Sequence, residues 1–296
     1  MNEHAAVAAC CTELYGHPLA STLMGLSFHP GGLRLTEKLA TLAGVGPDSL
    51  VLDAGSGNGV SAVHLAKTHG CAVVGVTLEP QGVQAGRVLA QRSGVAGQVE
   101  FLQSDVAKND LPADHFDVVL MECVLSSIHN KARMVDRLCR SLKPGGRLAL
   151  SDVTRNGSLP GEWAGPVMSA LCLNDALGLD EYARLFENAG LTVEASDQED
   201  LVVSQFIQGV RGALLVAEVA AKLGKLGVDV RHISTAKRIL DDVDGLVRGG
   251  VLGYGVVVAK KGTLWNLHES SNQPTTGEKN NGAQADSERQ TSPHQP

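Results

Sequence analysis

From residue 49 onward, short apolar runs alternate with longer stretches whose apolar residues recur every three or four positions. The runs at 50–52, 72–77, 99–102, 118–121 and 147–151 have the length of buried strands, and the stretches 60–68, 81–93 and 131–142 read as amphipathic helices. Strands alternating with helices predict a mostly parallel, doubly wound α/β sheet, because each crossover helix needs an apolar face to cover. Ahead of it, 1–46 reads as helical, with Leu33, Leu35, Leu39 and Leu42 in an apolar stripe after the Gly31-Gly32 break. The alternation lapses beyond Asp152, where Pro160, Trp163, Pro166 and a helix over 167–176 suggest an insertion over one edge of the sheet. It resumes with a helix over 180–189 stopped by Gly190, a strand at 191–195, a long helix near 198–223 and a last strand at 251–259. Beyond about 266 the chain is almost without apolar residues, so burial there cannot offset the entropy of ordering. The expected division is a helical cap (1–46), a core (47–155), a cap insertion with completion of the sheet (156–262) and a disordered tail (263–296).

Composition narrows the function. With 43% hydrophobic and 19% charged residues in a chain of 296, a packed core is expected. The net charge of −7 is spread without a Lys/Arg run, so nothing offers phosphates an electrostatic footprint and nucleic acid is not expected as a partner. Met1-Asn2-Glu3-His4 lacks the basic start of a signal peptide, and no continuous apolar run reaches the ~20 residues of a spanning helix. A cytoplasmic protein with no membrane insertion is expected. Six cysteines (Cys10, Cys11, Cys71, Cys123, Cys139, Cys172) are too sparse for a disulfide scaffold and read as thiols.

The richest chemistry lies in Val51-Leu52-Asp53-Ala54-Gly55-Ser56-Gly57-Asn58-Gly59, an apolar strand ending in an acid and then alternate glycines opening a helix. Glycine permits positive φ and puts no Cβ between backbone and ligand, so such a turn can press against a flat or charged group. A purely structural turn also explains a glycine run, so its context decides. The second strand leads to Glu79, where an acid can accept hydrogen bonds from two ribose hydroxyls. The glycine spacing departs from the G-x-G-x-x-G of NAD enzymes, and Asp53 stands where an acid can bind a ligand amine. The segment resembles the E/D-x-G-x-G-x-G motif of class I methyltransferases that use S-adenosylmethionine (SAM) and have a Rossmann-like core. Ser104-Asp105 after the third strand, Phe116-Asp117-Val118-Val119 and Lys143-Pro144-Gly145-Gly146 extend the likeness through 50–155 in order. The resemblance implies SAM as cofactor, with Asp53, Gly55 and Gly57 at its methionine part and Glu79 at its ribose. It places Ser104 and Asp105 by the adenine and Glu122 among the cofactor contacts; a helix cap is the plainer role for Asp105.

Methyl transfer at the C-terminal ends of such strands requires an acceptor lone pair in line with the methyl. The fourth strand should end near Glu122-Cys123-Val124, and Cys172 falls in the insertion expected over the same edge. With Ser151-Asp152-Val153 and the Pro-Gly-Gly turn, these segments resemble the arsenite methyltransferases. By that resemblance Cys123 and Cys172 would be catalytic and hold trivalent arsenic as substrate, soft thiolates suiting a soft ion. The family's further cysteine before the core is missing, for His29-Pro30-Gly31-Gly32 stands in the comparable stretch. An adjacent pair on a helix, such as Cys10 and Cys11, points in different directions.

His17 and His29 are candidate bases for an oxygen or nitrogen acceptor, against the plainer reading as surface histidines. Asp152 and Asp175 are candidates to orient a substrate, with capping as the alternative; His129 reads as exposed, and Cys71 and Cys139 as packing residues. No C-x-x-C or H-x-x-x-H spacing supports zinc. The functional expectation is a methyltransferase for a small molecule: thiol-bound arsenic, or else a thiol, sulfide or selenium compound. A carbon or oxygen acceptor in a lipid-like or natural-product molecule and a noncatalytic SAM binder remain as alternatives.

Overall fold

The structure is a computed structural model that describes residues 29–159, 173, 175–223 and 230–263. Helix α1 (Gly32–Ala43) leads into β1 (Leu50–Ala54), α2 (Val60–His69), β2 (Ala72–Thr77), α3 (Pro80–Arg92) and β3 (Val99–Gln103). Then follow β4 (Phe116–Glu122), α4 (Lys131–Ser141), β5 (Leu142–Arg155), α5 (Leu179–Asn188), β6 (Leu191–Gln198), α6 (Asp200–Lys222), α7 (Val230–Arg248) and β7 (Leu252–Lys261). The strands form one sheet in the order β3-β2-β1-β4-β5-β7-β6. Strands β1 to β5 pair in parallel, and β7 runs antiparallel to both β5 and β6. This is the doubly wound, mostly parallel, Rossmann-like sheet that the alternation predicts.

The pleat sends alternate residues of each strand to opposite faces, and each face builds its own core. Val51, Val73, Phe101, Val118, Ala149 and Val258 share one cluster with Leu35, Leu39, Ala62 and Val83 from α1, α2 and α3. Leu52, Ala54, Val119, Met121, Leu150 and Val257 join Met134, Leu138, Tyr182 and Phe186 from α4 and α5 on the other. Helix α1 starts after Gly31 (φ 85) and stops at Gly44 (φ 70), whose amide reaches back to the carbonyls of Ala40 and Thr41.

Several elements differ from expectation. The Lys143-Pro144-Gly145-Gly146 segment lies inside β5 as an irregularity, with Leu142 opposite Phe116 and Arg147 already opposite Val118. Lys143 grips Asp117 at 2.8 and 2.9 Å there, and Asp117 also accepts the Leu50 amide, which ties β1 to β4 at their starts. Helix α7 has no counterpart in the strand and helix runs read from sequence. Its apolar stripe is interrupted by Lys237, Arg238, Asp241, Asp242 and Asp244, yet some of these charges fasten it, since Arg211 on α6 binds Asp241 at 2.7 Å and Asp244 at 2.9 Å. The expectation that nothing is long and apolar enough to span a membrane also needs correction. Leu201–Lys222 of α6 meets that test by length and composition, at mean hydropathy 1.3, because polar residues such as Gln205, Gln208 and Arg211 break the run without lowering the average far.

Candidate active site at the ends of β1, β2 and β4

Between β1 and β4 the winding of the sheet changes direction, and in open α/β sheets the crevice at that switch point is where ligands bind. A cleft of about 530 Å³ opens there. Asp53, Gly55 and Gly57 line it from β1 and its turn, Glu79 from the end of β2, Ser104 and Asp105 from the end of β3, and Glu122 and Cys123 from β4. Every expected cofactor residue and one of the two expected catalytic cysteines thus face a single cavity. Cys172, like Cys10, Cys11 and His17, lies outside the described residues.

The turn after β1 is held to β2 by the amides of Gly55 and Ser56, both donating to the Val76 carbonyl at 2.8 and 2.9 Å. Gly55, Gly57 and Gly59 all have positive φ, at 92, 52 and 81°, but they serve different ends. A Cβ on Gly55 would overlap the Val124 side chain, and one on Gly59 would overlap the Phe101 ring. A Cβ on Gly57 would meet no protein atom within 4 Å, and the residue lines the cleft. Gly57→Ala should therefore keep the fold, at a left-handed penalty of about 1–2 kcal/mol. It should weaken ligand binding at least tenfold, which calorimetry beside circular dichroism would register; unchanged affinity would remove Gly57 from the contact surface.

Two polar atoms in this cavity want partners. Asp53 is 3% exposed, and its Oδ2 has no hydrogen-bond partner; neither has the buried Ser56 hydroxyl. Burial, followed by the charge of Glu122, pushes the Asp53 carboxyl from its ordinary 3.8 up to about 8. A buried acid left this way costs stability unless a donor or cation completes it. Glu122 is the contrasting case. Its Oε1 accepts the Thr36 hydroxyl at 3.0 Å, and its Oε2 accepts the Ser61 hydroxyl at 2.6 Å and Thr36 again at 3.1 Å. His29 Nε2 stands 3.5 Å from the same Oε2, while its Nδ1 faces the Pro30 carbonyl at 3.2 Å.

The remaining candidates separate clearly. Asp105 accepts the Ala107 amide at 3.0 Å and pairs with Lys108 at 2.8 Å, so it serves as a cap while it lines the cleft. Cys123 follows β4 directly in a left-handed conformation (φ 57), with its amide donated to the Ser151 carbonyl at 2.8 Å. His29 is buried at 8% exposure and lines the cleft, which overturns the surface reading. Asp152 is buried and caps the short turn Leu125–Ser127 by accepting the Ser126 amide at 3.0 Å; burial raises its pKa, and it does not line the cleft. Asp175 lies 3.8 Å from the exposed His129 instead of in the cavity. Cys71 is buried, its thiol pushed up to about 11 by desolvation, and Cys139 donates to the Ala189 carbonyl at 3.4 Å, so both act in packing. Thr36 and Ser61 were not read from sequence. A clue to Thr36 was present, because it sits beside Leu35 on the buried face of α1 where an apolar residue is expected.

Residues 47–190 match the family described as Methyltransferase domain. A glycine/sarcosine/dimethylglycine N-methyltransferase of Actinopolyspora halophila is 27% identical over 77% of this chain and 40% of its own. The methyltransferase GfsG of Streptomyces halstedii is 32% identical over 54% of this chain and 59% of its own. The chain thus spans from 40% to 59% of the length of these curated relatives. Among solved structures, phosphoethanolamine N-methyltransferase 2 of Haemonchus contortus in complex with SAM superposes with TM-score 0.69 at 16% identity, covering 87% of this chain and 57% of that one. The cyclase SpnF superposes with TM-score 0.66 at 17% identity, covering 88% and 94%. Residues 47–190 are thus similar to a methyltransferase domain, and the fold is shared with solved methyltransferases, one of them holding SAM.

Proposed function

We propose that the protein transfers the methyl group of SAM to a small-molecule acceptor at the β4 side of the cleft. The observation that carries this is the unpartnered Asp53 Oδ2, buried in the wall of a cleft that Gly55 and Gly57 also line. An ammonium is the donor such an acid lacks, and SAM brings one in its methionine part. On this reading Asp53, Gly55 and Gly57 hold the methionine end, Glu79 accepts from the ribose, and Ser104 and Asp105 meet the adenine. Bound there, SAM supplies a methyl group already activated on sulfur. What the protein adds is alignment and exclusion of water, with Val60, Val124 and Ile128 as apolar walls.

For the acceptor, Cys123 favours a soft nucleophile. The residue is half-buried and lines the cleft next to Glu122, directly after β4. Trivalent arsenic held by Cys123 and Cys172 fits that chemistry, as does a small thiol, sulfide or selenium compound. The names of the relatives favour a second reading, an amine or carbon acceptor, since they include the N-methyltransferase above and a ubiquinone/menaquinone C-methyltransferase of Ectopseudomonas mendocina, 35% identical over 43% of this chain.

One experiment separates the readings. Purified protein is incubated with methyl-labelled SAM and either arsenite with glutathione, glutathione alone, or glycine and a quinol. Label in an arsenical or a thioether supports the soft acceptor, and Cys123→Ser should then lower that transfer at least a hundredfold without changing SAM affinity. Label in an amine or quinol, with Cys123→Ser within about threefold of the parent, would discard the role of the cysteine. Absence of SAM binding by calorimetry would sink the whole assignment.

A further inference from the structure

The charged groups of the cleft are unusually one-sided. Asp53, Glu79, Asp105 and Glu122 line it, His29 is the one basic side chain, and no lysine or arginine takes part among the described residues. Glu122 is enclosed, with its side chain 4% exposed. Its close partners are the hydroxyls of Thr36 and Ser61, which fix the carboxylate in place and bring no charge of their own, and His29 Nε2 at 3.5 Å is the one basic group beside it. A buried anion in this condition is costly, and the cost falls when a cation comes near.

Position says which cation. Across the sheet the acids follow the order of the strands: Asp105 beyond β3, Glu79 beyond β2, Asp53 on β1 and Glu122 on β4. On the reading proposed above, a SAM molecule with its adenine at β3 and its ribose at β2 would offer its ammonium to Asp53 and turn its methyl-bearing side towards β4. SAM carries two cationic centres, the ammonium and the sulfonium. On that placement Asp53 would answer the first, and Glu122, at the end of β4 and lining the cleft, would lie on the side of the second. After transfer the sulfur is neutral, and only the ammonium remains.

We infer that Glu122, clamped by Thr36 and Ser61, is the residue by which the cleft prefers the cationic cofactor to its neutral product, S-adenosylhomocysteine. This rests on the SAM reading proposed above. The acceptor attacks with its own lone pair, the carbon–sulfur bond breaks with its electrons left on sulfur, and the positive charge opposite Glu122 disappears. The product therefore loses an attraction that the cofactor had, and it leaves more readily. Unit charges several Å apart at an effective dielectric of about 20 interact strongly enough to shift affinity on the order of tenfold or more.

The test is calorimetric and needs no acceptor. The probes are SAM, S-adenosylhomocysteine and sinefungin, the last carrying an amine in place of the methylsulfonium. The parent should bind SAM and sinefungin at least tenfold more tightly than S-adenosylhomocysteine. Glu122→Gln should close that gap to within about threefold, by weakening the two cationic ligands and leaving S-adenosylhomocysteine nearly unchanged. Glu79→Gln, which touches a part common to all three, should weaken them alike. If Glu122→Gln does not fold, Thr36→Val, which releases the carboxylate but keeps its charge, should shrink the gap at least threefold. An unchanged ratio in the folded variant, or a parent without preference, overturns the inference. A parent that binds none of the three overturns the cofactor assignment, and this inference with it.

Discussion

Asp53→Asn should abolish measurable SAM binding and at the same time make the ligand-free protein more stable at pH 8. The two effects have one cause. In the unfolded chain the carboxyl titrates near its ordinary 3.8, whereas in the fold desolvation and the neighbouring Glu122 move it up to about 8. A group whose folded pKa is raised contributes stability that is fully present below the unfolded value and is lost as pH rises through the folded one. For Asp53 the loss begins near pH 4 and is complete near pH 8. Asparagine removes the titration, so urea melts should show a parent losing stability from pH 5 to 8 and a variant with a flatter profile. The difference at pH 8 should be about 1–3 kcal/mol in favour of the variant. Binding moves the other way, because a neutral amide cannot answer an ammonium, and truncating a buried charge pair costs about 3–5 kcal/mol, a factor of a hundred or more. Because burial and Glu122 raise the Asp53 pKa to about 8, SAM binding near pH 7 should also release a proton, seen as a dependence of the binding heat on buffer ionisation. Parallel pH profiles for parent and variant, or retained affinity, would refute this account of the site.

Much of the arrangement was legible because its signals are local. Each parallel strand is buried on both faces and so reads as a short apolar run, and the acid-then-glycine turn announces itself within Asp53-Ala54-Gly55-Ser56-Gly57. The hidden features are those that depend on chain segments meeting across space. Thr36 and Ser61 converge on Glu122 from 86 and 61 residues away, a separation at which no spacing rule applies. His29 looked like one more surface histidine until its neighbours closed around it. Asp152 sits at the expected end of the fifth strand, but β5 continues to Arg155, so its carboxyl turns to cap the Leu125–Ser127 turn instead of meeting a ligand. Gly55 and Gly57 are expected alike at the ligand, and Gly59 shares their spacing. Only Gly57 is open space, while Gly55 and Gly59 are small because Val124 and Phe101 occupy the room a Cβ would need.

That last contact carries the second large prediction. Phe101, 1% exposed on β3, lies where Gly59 at the start of α2, Gly75 in β2 and Gly86 in α3 all lack a side chain. A Cβ on Gly75 or Gly86 would stand 2.7 Å from the ring, so three elements are shaped to one aromatic. Phe101→Ala should cost about 3–5 kcal/mol, since none of the glycines has atoms with which to fill the hole. The loss should extend to function, because Gly59 ends the turn that lines the cleft, and SAM affinity of the folded variant should fall as that turn loosens. Gly86→Ala offers the sharper test. Within a helix, alanine is favoured over glycine by about 1 kcal/mol, so propensity alone predicts a stabilised protein. The ring predicts the opposite, a destabilisation of about 1–3 kcal/mol from overpacking. In a Phe101→Leu background, where the far end of the ring is gone, the same substitution should become neutral or favourable. A coupling energy of about 1 kcal/mol or more in that double-mutant cycle would place the ring against Gly86, whereas simple additivity would mean that the three glycines are small for some other reason.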